Sequence, residues 1–225
     1  MKKLHFLLFL LPAATIFAQE NPAALTRNFH FADGAYLRFE ELQSNRPALP
    51  ADSFELHFFT NPQTYLTQVE AIFEKSTGDF VDPAMAWAVV VGGVPYLRLP
   101  SGEVSRELPT FAALRLKGKI CYFAYPDWRV KKVPVAAYNP LNGRPFRKGV
   151  VEREEEVLIE KMLHFETGEV ADFTVENFRR WIGDDLQLVA SIADLTAAEA
   201  DEKLWKCLLI YVDRNAVFLK EPKRN

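Results

Sequence analysis

The spacing of apolar positions changes along the chain and divides it into a strand-rich part and a helical part. Across residues 29–173, short β-branched and aromatic runs follow one another, separated by turn signals such as Asp33-Gly34. Across residues 174–215, apolar residues recur every three or four positions, as in amphipathic helices. This order predicts an α+β fold: a mainly antiparallel curved sheet or half-barrel, followed by about three C-terminal helices.

The clearest strand signal is a hairpin between Trp87 and Leu99, whose two apolar runs are joined by Gly92-Gly93. Pro95 has no backbone N–H to donate, so we expect the second strand to lie at a sheet edge or to begin after the proline. Further strands are predicted over residues 55–59, 111–116, 119–125 and 157–165.

Residues 65–75 fit two interpretations. Tyr65, Val69 and Ile72 have helical spacing, but Val69, Ala71 and Phe73 alternate as in a strand. The turn signal at residues 76–79 would allow a hairpin into the next apolar pair, so we slightly favour a strand.

The helical part carries three N-cap signals. Thr174 begins the first helix and Asp184-Asp185 the second, while Thr196-Ala-Ala-Glu199 forms a capping box for the third. The residues predicted to face inward are Leu186, Val189 and Ile192 on the second helix, and Ala200, Leu204, Leu208 and Tyr211 on the third.

The N-terminus has the three-part pattern of a secretory signal peptide. Lys2 and Lys3 precede the apolar run 4–11, and Ala18 is the expected last residue of the signal. We therefore predict a signal peptide at 1–18, a leader at 19–28 and a single α+β domain at 29–225. No later apolar stretch is long enough to span a bilayer. The signal-peptide pattern therefore predicts an exported protein, periplasmic or extracellular.

Charge and cysteine usage narrow the classes of function. The formal net charge is -3, and it becomes more negative once Lys2 and Lys3 are removed, which disfavours nucleic acid as a partner. An oxidising compartment would permit a disulfide between Cys121 and Cys207. Both lie in apolar surroundings, however, so two buried thiols are the favoured alternative.

The motifs of common catalytic sites are missing from the sequence. No HExxH, paired-cysteine, Gly-x-Ser-x-Gly or phosphate-loop pattern occurs, and the acidic run Glu152–Glu156 is typical of a solvated strand end. The sequence therefore indicates no metal site, no cofactor and no catalytic residue that can be named, and it favours a protein that is not an enzyme over a hydrolase.

One basic and aromatic segment, residues 125–150, has an unusual surface character. A long loop here could bind an anionic glycan, a lipid headgroup or a protein partner. The favoured alternative is a hairpin extension folded back on the sheet, its Arg and Lys stems covering apolar surface. The candidate binding residues are Trp128, Arg129, Lys131, Lys132, Tyr138, Arg144 and Arg147.

Three segments together resemble a group of uncharacterised secreted proteins of Bacteroidota. They are the opening Asp33-Gly-Ala-Tyr-Leu-Arg-Phe-Glu-Glu-Leu, the hairpin region from Trp87 to Phe123, and the closing helices from Phe173 to Val212. The chain departs from the group at Asp213-Arg-Asn215, where such proteins often carry Tyr-Asn and a following proline. The resemblance implies export from such a bacterium, and it implies no activity.

Three hypotheses of function follow. The first is a non-catalytic exported envelope protein that binds or scaffolds a partner, in which charge reversal at Arg129, Lys131 and Lys132 should weaken partner recovery. The second is a carrier with an apolar cavity between sheet and helices. The third is a hydrolase with no recognisable motif.

Overall fold

The computed structural model describes residues 22–64, 66–100, 107–138, 140–141 and 143–221. In this part of the chain an open antiparallel sheet of eleven strands is followed by three helices, which confirms the predicted α+β fold. The predicted signal peptide lies outside the described residues, as do the first residues of the predicted leader.

The element bounds are as follows. The strands are β1 (Gly34–Tyr36), β2 (Leu49–Pro50), β3 (Phe54–Thr60), β4 (Leu66–Glu74), β5 (Phe80–Val81), β6 (Ala88–Val91), β7 (Val94–Arg98), β8 (Thr110–Leu116), β9 (Ile120–Tyr138), β10 (Pro145–His164) and β11 (Val170–Asp172). The helices are α1 (Phe39–Gln43), α2 (Val175–Trp181), α3 (Leu186–Ala193) and α4 (Ala197–Arg214), with a 3-10 turn at Pro83–Met85.

The sheet forks at β8. Its main order is β11-β10-β9-β8-β7-β6-β1-β2, and β4 branches from β8 together with β3 and β5. The first half of β8 pairs with β4 through Thr110 to Ala112, whereas Leu114 and Leu116 pair with β9. β4 and β9 therefore use successive stretches of β8.

The predicted hairpin and the predicted strand at 65–75 are confirmed as β6–β7 and β4. The edge position predicted for β7 is wrong, because β7 pairs with β6 on one side and β8 on the other. The proline is accommodated because β7 pairs with β8 only from Tyr96 onward, one residue past Pro95.

The Asp33-Gly34 and Gly92-Gly93 signals meet in space. The Asp33 carboxylate accepts hydrogen bonds from the backbone N–H groups of Gly92 at 3.1 Å and Gly93 at 2.7 Å. Gly93 has a φ of 76°, a conformation that favours glycine, and a Cβ there would collide with the His30 side chain. The hairpin turn is thus held by a side chain distant in sequence.

Strand alternation gives the β9–β10 part of the sheet two apolar faces. Cys121, Phe123 and Tyr125 pack into the core that contains Tyr36 and Phe165. The intervening side chains form the second core against the helices, and they are Ile120, Tyr122 and Ala124 of β9 and Met162 of β10. At this level both faces are covered.

The three C-terminal helices begin at the predicted caps. The side chains of Thr174, Asp185 and Thr196 accept backbone N–H groups of α2, α3 and α4. The predicted α4 stripe is buried, but the inward position of Leu186 is wrong, since that residue is 75% exposed and Leu188 is buried instead. Starting the helix at Asp185 places Leu188 and Ile192 on one face, four residues apart.

Both ends of the described chain are tied together. Leu25 is buried in the first core and donates a backbone hydrogen bond to Val217, and Ala24 forms a bridge with Phe218. The later residues of the predicted leader are therefore part of the domain. Among the described helices, none combines the length and the apolar character that crossing a bilayer requires.

Candidate binding site on a two-stranded arm

The most unusual feature of the molecule is a long hairpin formed by β9 and β10, which contain 19 and 20 residues. Their ladder runs from the pair Ile120–His164 to the pair Tyr138–Pro145. β9 contacts β8 only through Tyr122 and Phe123, and β11 pairs with residues 161–163 of β10. We call the described residues between 126 and 158, where the two strands pair only with each other, the arm.

The sequence of the arm suits an isolated ribbon. Val130, Val133 and Val135 favour extended backbone, and Gly143, with a φ of 64°, lies in the connecting turn. Pro126 and Pro134 of β9 lack a backbone N–H, which this strand can tolerate because one of its edges in the arm has no neighbouring strand.

One side of the arm, which we call the tryptophan face, is mainly apolar near its base. It carries Trp128, Val130 and Leu158, which are 65%, 61% and 56% exposed, beside Pro126. These four residues are called the stripe below. The same side of the sheet, nearer the core, packs on the helices, where the half-exposed Trp205 of α4 lies edge-on to Tyr122 at 4.8 Å.

Acidic residues flank the stripe. Glu156 is the cross-strand neighbour of Trp128, and Glu154 is that of Val130. Neither carboxylate forms an ion pair within the part of the chain that the structure describes. Further out on this face, Lys132 and Glu152 approach to 3.6 Å. The stripe is therefore an apolar surface with a local excess of negative charge.

The other side of the arm, the ion-pair face, carries two ion pairs. Arg129 reaches Asp127 at 3.4 Å, and Lys131 reaches Glu155 at 3.0 Å. Both partners of the second pair are mostly exposed, and such pairs contribute little to stability, about 0.2–1 kcal/mol. Two basic and two acidic groups of this face are thus paired with each other.

The candidate residues from the sequence are thus divided between the two faces. Alternation places Trp128, Lys132 and Tyr138 on the tryptophan face and Arg129, Lys131 and Arg147 on the ion-pair face, whereas Arg144 lies next to the turn. Sequence reasoning missed Val130, Val150, Leu141 and Leu158. In the sequence they appear as apolar positions near charged ones. That pattern does not show that the side chains are exposed until the strand partners are known.

The segment is a hairpin extension, as the favoured alternative predicted, but its side chains do not cover the sheet. Trp128, Val130 and Tyr138 are all more than 60% exposed. Pairing between the two strands satisfies the backbone groups that face the partner strand.

A separate polar cluster lies where β9 begins. Asp184, just before α3, accepts hydrogen bonds from Lys119 at 2.5 Å and from the Tyr211 hydroxyl at 2.8 Å. Burial raises the pKa of Asp184, but these hydrogen bonds outweigh it and hold the pKa below its usual value. The same hydrogen bond favours the charged form of Lys119 and so raises the pKa of that residue. The cluster joins β9, the α2–α3 turn and α4, and Lys119 also lies 3.6 Å from the Glu166 carboxylate.

Two nitrogens beside this cluster have no hydrogen-bond partner within the described residues: His164 Nδ1 and Trp181 Nε1. Their rings meet edge to face at 5.5 Å. Burial lowers the pKa of His164, against the nearby Glu166, Glu169 and Asp184. Over the described residues, no group of three or more His, Cys, Asp or Glu is placed to hold a metal ion.

Cys121 and Cys207 are free thiols in the structure. Cys121 is buried and its Sγ donates to the carbonyl of Gly118 at 3.3 Å, while Cys207 is half-buried on α4. Burial raises the pKa of the Cys121 thiol to about 12, which disfavours the thiolate that nucleophilic chemistry requires.

The space between sheet and helices, where a carrier would hold its ligand, is filled by side chains. Tyr122, Met162, Phe178, Ile182 and Leu208 meet there and all are buried. A surface groove of about 290 Å³ lies instead between α3 and α4, bordered by Leu188, Cys207 and Ile210 together with Lys203 and Lys206.

Comparison with protein families, with curated proteins and with solved structures found no match.

Proposed function

We propose that this protein is a non-catalytic, exported binding protein of the bacterial envelope, and that the tryptophan face of the arm docks on a partner protein. The observation that carries the proposal is the stripe, whose large apolar side chains stand exposed on a ribbon outside both cores. Contiguous exposed apolar surface is typical of interaction sites.

Trp128 is the natural anchor of such an interface. Tryptophan is enriched among the residues that dominate binding energy, because one side chain buries a large area at little conformational cost. Val130 and Leu158 lie beside it on the same face. A partner pocket that covers Trp128 would exclude water from all three.

Charge indicates which partner surface fits. Glu154 and Glu156 flank the stripe without ion pairs to described residues, so docking on an acidic or neutral surface would bury them uncompensated. A partner with Arg or Lys around an apolar pocket would pair with them. We therefore expect a basic rim on the partner.

Export is the second part of the proposal. It is supported by Lys2, Lys3 and the apolar run 4–11 ahead of Ala18, and by the resemblance to secreted Bacteroidota proteins. The compartment matters because it limits the partner to proteins of the envelope or of the exterior.

The test is affinity capture of a tagged full-length chain from its native host. Trp128→Ala combined with Leu158→Ala should lower recovery of the captured partner at least tenfold, since interface anchors cost 2 kcal/mol or more when truncated. The matched control is Arg129→Ala with Lys131→Ala, which changes neighbouring residues on the ion-pair face and should leave recovery nearly unchanged.

The circular dichroism melting curve of each variant shows whether the domain remains folded. A partner recovered equally well with the stripe variant and with the wild type would overturn the proposal. Loss of recovery with the control variant alone would move the docking surface to the other face.

A further inference from the structure

The outer end of the arm differs in charge from the rest of the molecule. We call the described residues between 133 and 151 the tip. They contain Arg144, Arg147 and Lys148 and no acidic residue, although the whole chain has a formal net charge of -3. The acidic residues of β10 begin at Glu152, on the core side of the tip. All charged residues of the tip are thus basic, whereas the inner part of the arm carries charges of both signs.

The tip is also apolar on both of its faces. Val133 and Val151 pair on the ion-pair face, and Pro134 and Val150 pair on the tryptophan face. The side chains nearest the turn are strongly exposed, with Tyr138 at 61% and Leu141 at 93%. An interface with one flat protein surface would need only one apolar face, whereas this ribbon offers apolar side chains in both directions.

From these two observations we infer that the tip binds the headgroup region of an anionic lipid membrane. Arg147 and Lys148 would meet lipid phosphates, while Leu141 and Tyr138 would enter the boundary between headgroups and acyl chains. Tyrosine is enriched at this depth because its ring is apolar and its hydroxyl is polar. Basic residues near anionic lipid each strengthen binding about fivefold.

The backbone limits how far the tip enters. Each strand of the ribbon has one edge without a neighbouring strand, and the N–H and C=O groups there cannot be left unsatisfied in hydrocarbon. Binding at the depth of the headgroups, roughly 5–10 Å, keeps those edges in contact with water or lipid polar groups. The tip is therefore a peripheral contact and does not span the membrane.

The length of the arm lets both proposed contacts exist together. Residues 126–138 of β9 span roughly 40 Å at about 3.3 Å per residue, so the tip reaches well beyond the cores. The membrane contact uses the tip and the proposed protein contact uses the stripe, so either can hold without the other.

The test is co-sedimentation of the full-length chain with vesicles of phosphatidylcholine alone or of phosphatidylcholine containing phosphatidylglycerol. Every variant keeps the same N-terminus, so any background from the N-terminal apolar segment is equal in all samples. The wild type should bind the anionic vesicles much more strongly than the neutral ones, and salt should weaken the difference.

Arg147→Ala with Lys148→Ala should weaken partitioning to anionic vesicles by about 25-fold, the product of two fivefold losses. Leu141→Ser should weaken it severalfold through lost apolar contact. The matched control is Arg179→Ala with Lys206→Ala, two exposed basic residues on α2 and α4, which should bind as the wild type does. Trp128→Ala should also retain vesicle binding.

Equal binding of the tip variant and the wild type to anionic vesicles would overturn the inference, as would equal binding of the wild type to both kinds of vesicle. Capture of an envelope protein that depends on Arg147 and Lys148, without vesicle binding, would also overturn it and identify a protein as the ligand of the tip. Failure of the stripe variants to alter protein capture leaves these vesicle results unchanged.

Discussion

The same two strands form two very different regions. At the base of β9 and β10, Tyr122 and Met162 are cross-strand neighbours and both are buried; in the arm, Trp128 and Glu156 are cross-strand neighbours and both are exposed. The backbone ladder continues through both regions. Backbone pairing preserves the ribbon in both regions, while burial of side chains determines which part stabilises the domain and which part is available to a partner.

The difference in stability between the base and the arm should be largest for a pair of substitutions on one face of β10. Met162→Ala removes a fully buried side chain from the core under the helices and should lower the free energy of unfolding by about 3 kcal/mol. Leu158→Ala, four residues away and exposed, should change it by less than about 0.5 kcal/mol. Urea denaturation curves measure both, and similar losses would contradict the division into base and arm.

The polar cluster at the base should contribute an intermediate amount. Asp184→Asn removes the negative charge that Lys119 and Tyr211 share, and should lower the free energy of unfolding by about 1–2 kcal/mol. Removing a fully buried charge would lower it more, but the Asp184 carboxylate is partly exposed. Asp201→Asn on the exposed side of α4 is the matched control and should be neutral. Equal melting temperatures for the two variants would show that the cluster does not hold the helices to β9.

An ion pair of the arm should contribute less. A double-mutant cycle with Lys131→Ala and Glu155→Ala should give a coupling energy of about 0.2–1 kcal/mol, since both partners are mostly exposed. Salt near 1 M should remove most of it. A coupling of several kcal/mol that persists in salt would mean that the ion-pair face is desolvated, contrary to the exposed arm.

The smallest effect should appear only in acid. Burial lowers the pKa of His164 in the folded state, so the unfolded chain takes up the proton first. Above pH 6.5, the ordinary pKa of histidine in an unfolded chain, the ring is mainly neutral in both states and no stability is lost. As pH falls below 6.5, protonation favours the unfolded chain and the free energy of unfolding decreases. His164→Phe keeps a ring against Trp181 and should reduce the fall in melting temperature between pH 7 and pH 5. An unchanged pH profile would assign the acid sensitivity to other groups.

Local signals predicted the parts of the fold that local interactions build. Thr196 and Glu199 form the capping box of α4 as expected, because its hydrogen bonds join residues three positions apart. Pro95 was misplaced because the neighbours of β7 are set by strands distant in sequence. The arm was recognised as unusual from its composition, but which residues share a face depends on the register between β9 and β10, which no local pattern specifies.

The most direct test of the docking surface is a photo-crosslinking amino acid placed at position 130 or at position 129 of the full-length chain in the native host, with the anchor Trp128 kept. The two positions are adjacent in sequence but project to opposite faces of the arm. We predict a reproducible crosslink to one protein from position 130 and little or none from position 129. Equal crosslinking from both positions, or none from position 130 in a folded and abundant protein, would contradict the assignment of the tryptophan face as the docking surface.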